Sequence, residues 1–457
     1  MKITLIEPKS PGVHVYSRVM LPRLGLPLIG TILRDLGHDV KLFVEEIEQV
    51  DMERVKESDL IGFSSTTSTA PRAYRWCDEI KSINPEIPIV IGGAHVSFLV
   101  EEALEHADYC VMGEGEAPIQ QLVKALENNE KPVDIPGLAY KDEKGEIHKP
   151  DRAAFAEVNN FPHPDLNLIE GSEKMSIKPV IGSRGCPYGC NFCSVIQMFG
   201  RKYRFCDIDG VIDQLENTSA RHVFFYDDNF AANVERTKEM LREMIRRQIK
   251  VSWSAQVRVD IAKDPELLDL MRDAGASMVY IGFESVNPET LKEYKKGLEI
   301  EQTIEGIKAI RERGIMIHGM FVIGGDNDDI NSPKKTVDFA LEHKIDTIQL
   351  LTLTPLPGTP FFEQLKEQNR LINTDWEYYD GHHVVHMPAK MTPYELQVQL
   401  MKQMARFYSL KRCMQVACRL NLIRLFFRFY GFRTVKRWIS DKTSQDYVQY
   451  LKESYST

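Results

Sequence analysis

Along the first 130 residues, short apolar runs alternate with stretches of helical period. Ile3–Glu7, Asp39–Val44, Leu60–Ser65, Ile89–Gly92 and Tyr109–Gly113 are mainly apolar, the pattern of strands buried on both faces. Between them, Leu26–Leu36 and Pro71–Ile83 space apolar residues three and four apart, as helices packed on a sheet require. This alternation predicts an α/β domain over 1–130, a doubly wound parallel sheet in the flavodoxin-like order. Sheets of this kind bind ligands beyond the carboxyl ends of their strands. Here those ends read Ser64-Ser65-Thr66-Thr67-Ser68-Thr69, Gly92-Gly93-Ala94-His95 and Gly113-Glu114-Gly115-Glu116. Small residues let backbone approach a large flat ligand, and hydroxyls supply donors and acceptors. Each run alone is also what a tight turn needs.

Residues 131–174, with Pro132, Pro136, Pro162 and Pro164, read as a link. The alternation then resumes over 175–372, with strands expected at Lys178–Ser183, His222–Tyr226, Val251–Gln256, Met278–Phe283, Met316–Ile323 and Thr347–Thr352. Six such units are too few for an eight-fold barrel and predict a partial one, open at the carboxyl ends of its strands. Residues 373–457 carry helical patterns.

Composition narrows the class. With 457 residues and a net charge of −9, the chain has room for two or three cored domains and no global bias toward nucleic acid. Met1–Glu7 reads as a strand rather than a secretory leader, and no apolar run reaches the roughly 18 residues of a membrane span. Cys77, Cys110, Cys206, Cys413 and Cys418 are scattered and form no disulfide framework, so the cytoplasm is the expected setting.

Three further cysteines stand apart from these. Cys186, Cys190 and Cys193 lie in Ser183-Arg-Gly-Cys-Pro-Tyr-Gly-Cys-Asn-Phe-Cys-Ser194, directly after the first strand of the second half. Thiolates at this spacing converge from one loop on an iron–sulfur cluster. Three ligands on a four-iron cube leave one iron open. Such an oxygen-labile cluster would further favour an anaerobic or strongly reducing cytoplasm. A structural zinc ion would need a fourth ligand nearby, and neither Cys206 nor His222 is well placed for it.

The Cys-x-x-x-Cys-x-x-Cys run, with Phe192 before its last cysteine, resembles the signature of radical S-adenosylmethionine (SAM) enzymes. With the N-terminal pattern, residues 1 to about 400 resemble the cobalamin-dependent branch of that family, which includes C-methylases and the anaerobic magnesium-protoporphyrin ester cyclase. The resemblance implies three cofactors: a [4Fe-4S] cluster on Cys186, Cys190 and Cys193, SAM, and cobalamin. For SAM it implies Phe192, Gln256, Arg258, Glu284, Ser285 and Gly324, with Gly325 and Pro355–Thr359 near the adenine. For cobalamin it implies Ser65, Thr66, Ser68, Gly92, Gly93, Gly113 and Glu114. The Asp-x-His-x-x-Gly pattern that supplies a histidine to cobalt is missing, since Asp35-Leu-Gly-His38 has the wrong spacing.

Some residues keep two readings. Asp227 and Asp228 either serve the site or cap the next helix. Arg258 is either a carboxylate clamp or a salt bridge closing the barrel. His95 is either a loop histidine with no metal role or a contact near the cobalamin. Tyr379-Asp-Gly-His-His-Val-Val-His386 either closes the barrel's open side or lines the substrate pocket, ahead of any metal role.

Implied activity is methylation of an unactivated carbon through a 5′-deoxyadenosyl radical and methylcobalamin. The alternatives are an oxidative cyclase or rearrangement enzyme on a tetrapyrrole or lipid, and a non-catalytic corrinoid carrier or sensor. A reductant such as flavodoxin or ferredoxin would serve the cluster. The tail adds one clue: between Leu396 and Ser440 there are ten Lys or Arg and no Asp or Glu, interwoven with Leu420-Asn-Leu-Ile-Arg-Leu-Phe-Phe-Arg-Phe-Tyr-Gly-Phe432. On a helix, Arg424 and Arg428 share one face, and Leu422, Leu425, Phe426 and Phe429 another. The expectation is peripheral contact with the inner face of a membrane through the apolar face, against packing of that face on the protein.

Overall fold

The computed structural model describes residues 1–12, 20–417 and 422–455. Cys418, Arg419, Leu420 and Asn421, named above in the tail, lie outside the described residues. The first half builds a seven-stranded sheet in the order β2-β1-β3-β4-β5-β6-β7. Its strands are β1 (Lys2–Glu7), β2 (Asp39–Val44), β3 (Leu60–Ser64), β4 (Ile89–Gly92), β5 (Tyr109–Val111), β6 (Leu138–Lys141) and β7 (Ile147–His148). The first five pair in parallel, and β6 and β7 add an antiparallel edge. Apolar layers cover both faces, one around Phe63, Cys77 and Ile91, the other around Leu5, Leu33 and Leu122. That double burial is why the strands read as unbroken apolar runs.

The stretch expected as a link is therefore partly sheet. Leu138 and Ala139 are fully buried, and Ile169 bridges back to Leu42. Strands of two to four residues are too short to show a period, and the surrounding prolines masked them.

The second half forms a six-stranded parallel sheet in the order β15-β14-β13-β12-β11-β8. These are β8 (Ile177–Val180), β11 (His222–Phe225), β12 (Ser252–Val257), β13 (Ala276–Glu284), β14 (Met316–Ile323) and β15 (Thr347–Thr352). The short hairpin partners β9 (Ser183–Arg184) and β10 (Arg204–Phe205) stand outside it. Helices here start in a repeated way: Asp264-Pro265, Asn287-Pro288, Thr359-Pro360 and Thr392-Pro393 each pair a capping side chain with a proline that needs no N–H. At Thr392, Glu395 completes a reciprocal capping box.

The segment 381–386 runs beside β15, an edge strand of this sheet (Thr352 N to Gly381 O, 2.9 Å). Gln397 and Tyr447, from two C-terminal helices, fix it by accepting from Val384 N and donating to Val384 O. The histidine segment thus lies along the β15 edge, as irregular chain rather than as a regular strand.

Candidate active site

β8 stops at Val180 because its continuation is held by side chains from the next strand end. Gly182 N and Ser183 Oγ donate to the two carboxylate oxygens of Asp227 (2.8 and 2.7 Å), and Gly185 N donates to Asp228 (3.0 Å). Neither aspartate caps a helix; the following helix, Val234–Arg246, is capped by Asn233. Burial raises both carboxyls, that of Asp227 to about 6. Gly185 is obligatory here: its φ is +87°, and a Cβ would sit 2.5 Å from the Lys202 carbonyl.

The loop so anchored presents Cys186, Cys190 and Cys193 as free, partly buried thiols. Among the described residues they do not form a set whose sulfurs all lie within 4.8 Å of one another. Burial pushes all three thiols up, Cys193 to about 12, while Lys296 and Arg258 pull Cys190 back down. Phe192 packs edge-on against Tyr294, 5.2 Å between centroids.

Around this loop the barrel's strand ends converge. Glu284 ends β13 in a left-handed conformation (φ +64°) and accepts from the buried ammonium of Lys296 at 2.7 Å. Ser285 Oγ accepts from Asn287 N and shapes the turn. Arg258 lies 3.9 Å over the ring of Tyr188, inside the cysteine loop, and bonds Asp260 and the Lys296 carbonyl. Through Tyr188 it ties the end of β12 to the cysteine loop. Gln256 is half-buried, and its carbonyl accepts from Phe230 N. Gly324 (φ +122°) gives its N–H to Asp328 and its carbonyl to His386.

The second station is a cavity of about 360 Å³ between the halves. One wall is the strand ends of the first sheet: Ser65, Thr66, Gly92, Gly93, Gly113 and Glu114. The other is Ser194, Val195, Met198 and Phe199, immediately after Cys193, with Tyr226 and Asp228. Ser65 Oγ is buried without a partner, a hydroxyl waiting for a ligand group. Gly93 (φ +107°) would place a Cβ 2.3 Å from the Ser65 carbonyl, so only glycine keeps this wall flat. Ser68 stands off the cavity. His95 is also off it, bonded to Glu102 and edge-on to Trp376.

Glu114 lines the cavity, but its carboxylate is committed to holding the halves together. It accepts from Arg184, Arg204 and Ala156 N at 2.6–2.8 Å, and Arg184 also meets Glu116 at 2.5 Å. Burial would raise Glu114; Arg204 and Arg184 override it and hold the carboxyl below its usual range. Lys296, Arg184 and Arg204 escape sequence reasoning because each sits in a run that reads as polar surface. Only the position of Arg184, two residues before the first cysteine, offered a signal.

A sheet that opens its strand ends onto a cysteine-loop partial barrel defines a class, a B12-binding domain joined to a radical SAM core. Family models agree: "B12 binding domain" matches residues 14–123 and "Radical SAM superfamily" matches 180–340. The chain belongs to the cobalamin-dependent radical SAM enzymes, whose cofactors are a [4Fe-4S] cluster, SAM and cobalamin. It is 29% identical to an uncharacterized methyltransferase of Pyrococcus horikoshii over 96% of this chain and 97% of that one. It is 28% identical to the bacteriochlorophyllide d C-12(1)-methyltransferase of Chlorobaculum tepidum, over 85% and 83%. The fold matches the cobalamin-dependent SAM radical enzyme OxsB, solved with aqua-cobalamin and SAM bound, at TM-score 0.71 and 18% identity over 99% and 75%.

Proposed function

We propose that this enzyme methylates an unactivated carbon of an apolar small molecule. One observation carries the reading: the segment that leaves Cys193 is itself a wall of the cavity beside Ser65 and Gly93. A substrate carbon lodged there can meet both cofactor stations without leaving the protein. When bound, the cluster supplies the electron that cleaves SAM, and cobalamin carries the methyl group. The chain's own residues position and shield. Cys186, Cys190 and Cys193 hold the cluster, and Asp227 and Asp228 fix the loop that carries them. The Glu284–Lys296 pair and the Gly324–Gly325 turn border the SAM side. Ser65, Thr66 and the flat glycines Gly92, Gly93 and Gly113 receive the corrin. The apolar lining, with Leu26, Ile29 and Phe63, excludes water. Electrons would come from an external carrier such as flavodoxin or ferredoxin.

Anaerobic reconstitution with iron, sulfide, cobalamin, reductant and SAM tests the reading without a substrate. S-adenosylhomocysteine stoichiometric with bound cobalamin supports methyl transfer. Cleavage of SAM to 5′-deoxyadenosine with no S-adenosylhomocysteine would reject it in favour of cyclisation or rearrangement.

A further inference from the structure

The Leu422–Ser440 helix lies with Arg424 and Arg428 inward, opposite to the orientation expected if its apolar face packed on the protein. Arg424, Arg428, Gly431, Val435 and Trp438, three or four residues apart, form the inner stripe. Arg424 pairs with Asp346 at 2.8 Å. Arg428 donates to the carbonyls of Phe407 and Ile345, both at 3.0 Å, and lies 3.8 Å over the Phe407 ring.

With that stripe committed to the protein, the other side shows apolar groups to solvent. Leu422, Ile423, Phe426 and Phe429 are 77, 63, 65 and 43% exposed. A single exposed leucine is ordinary; four large apolar side chains within about two turns of one helix are not. Toward the C-terminal end Arg433, Lys436 and Arg437 are exposed too. The helix itself carries no acidic residue, and Asp441 is the first beyond it.

Two copies meeting helix to helix on this surface would set the cations of one against those of the other, since the helix itself carries no acid. A bilayer interface offers acyl chains for the apolar groups and phosphate for the cations. We propose that this face docks the enzyme on an anionic lipid bilayer. The inference is independent of which carbon is methylated. No described helix is long and apolar enough to cross a membrane, so the contact is interfacial.

Flotation of the full-length protein with vesicles of phosphatidylcholine, alone or mixed with phosphatidylglycerol, tests it. The protein should float with the mixed vesicles only, less so in added salt. Ile423→Asp/Phe426→Asp should cut the floated fraction about tenfold or more at an unchanged melting temperature. If that variant fails to fold, Arg433→Gln/Lys436→Gln/Arg437→Gln should show the same loss. Three results would each overturn the proposal: no flotation with anionic vesicles, equal flotation with neutral ones, or full binding by the variants. So would a dimer that these substitutions dissolve, without flotation, since a second copy would then cover the face.

Discussion

Glu114→Gln removes one charge from the buried network that joins the two halves while keeping the side chain's shape. Glu114 now satisfies four N–H donors, two from Arg204 and one each from Arg184 and Ala156. An amide can answer only those on its remaining oxygen, and each oxygen now accepts two, so two donors lose this acceptor, at about 1–3 kcal/mol each. Arg184 keeps Glu116 and Arg204 keeps the Ala156 carbonyl, which limits the damage. The net cost is about 3 kcal/mol, roughly two orders of magnitude in the equilibrium that keeps the halves together. Two measurements read it: the urea midpoint of the full chain, and cobalamin retained after gel filtration. Both should fall. Because the carboxyl of Glu114 is held below its usual range, its contribution is present at neutral pH. It is lost only as pH falls through that lowered value, so the gap between wild type and variant should close only in acid. An unchanged midpoint together with unchanged retention would refute the claim that this network joins the halves.

Other substitutions separate the stations. Gly93→Ala must displace Ser65, at roughly 2 kcal/mol or more, and should lower bound cobalamin while iron per chain stays constant. Lys296→Met strands the Glu284 carboxylate and should cost about 3 kcal/mol in urea unfolding. The Glu284→Gln/Lys296→Met double variant should recover most of that loss; equal loss in both would remove the pair from the argument. Burial holds His318 and His386 neutral, each pushed down to about 4. Their contribution is whole above the ordinary imidazole value near 6.5 and fades as pH drops from there toward 4, by about 3 kcal/mol each. His318→Gln should flatten the acid slope of stability, and an unchanged slope would exclude that histidine as its source.

Much of this architecture is legible in the chain because parallel strands buried on both faces leave long apolar runs. β2, β4, β14 and β15 fall on the runs that announce them. β6 and β7 do not, being a hairpin at the end of the sheet too short for any period. At the site, the cysteine loop and the glycine-rich strand ends are local patterns and read directly. What joins them is not local. Glu114 reaches Arg204 across 90 residues, and Asp227 reaches back 45 to Gly182, in contacts no spacing foretells. The tail shows the limit most clearly. Helical period correctly separates Arg424 and Arg428 from Phe426 and Phe429, but period alone is blind to which side meets the protein. Asp346, from a distant loop, decides it.

The central claim is that the cluster loop and the cobalamin cavity share a wall. Electron paramagnetic resonance of the reconstituted enzyme, with cobalt(II) and the cluster both paramagnetic, tests this most directly. The account predicts a cobalt signal broadened or split by the neighbouring cluster, and relieved in Cys190→Ala. A cobalt spectrum identical in the two proteins, equal to that of isolated cobalamin, would contradict it.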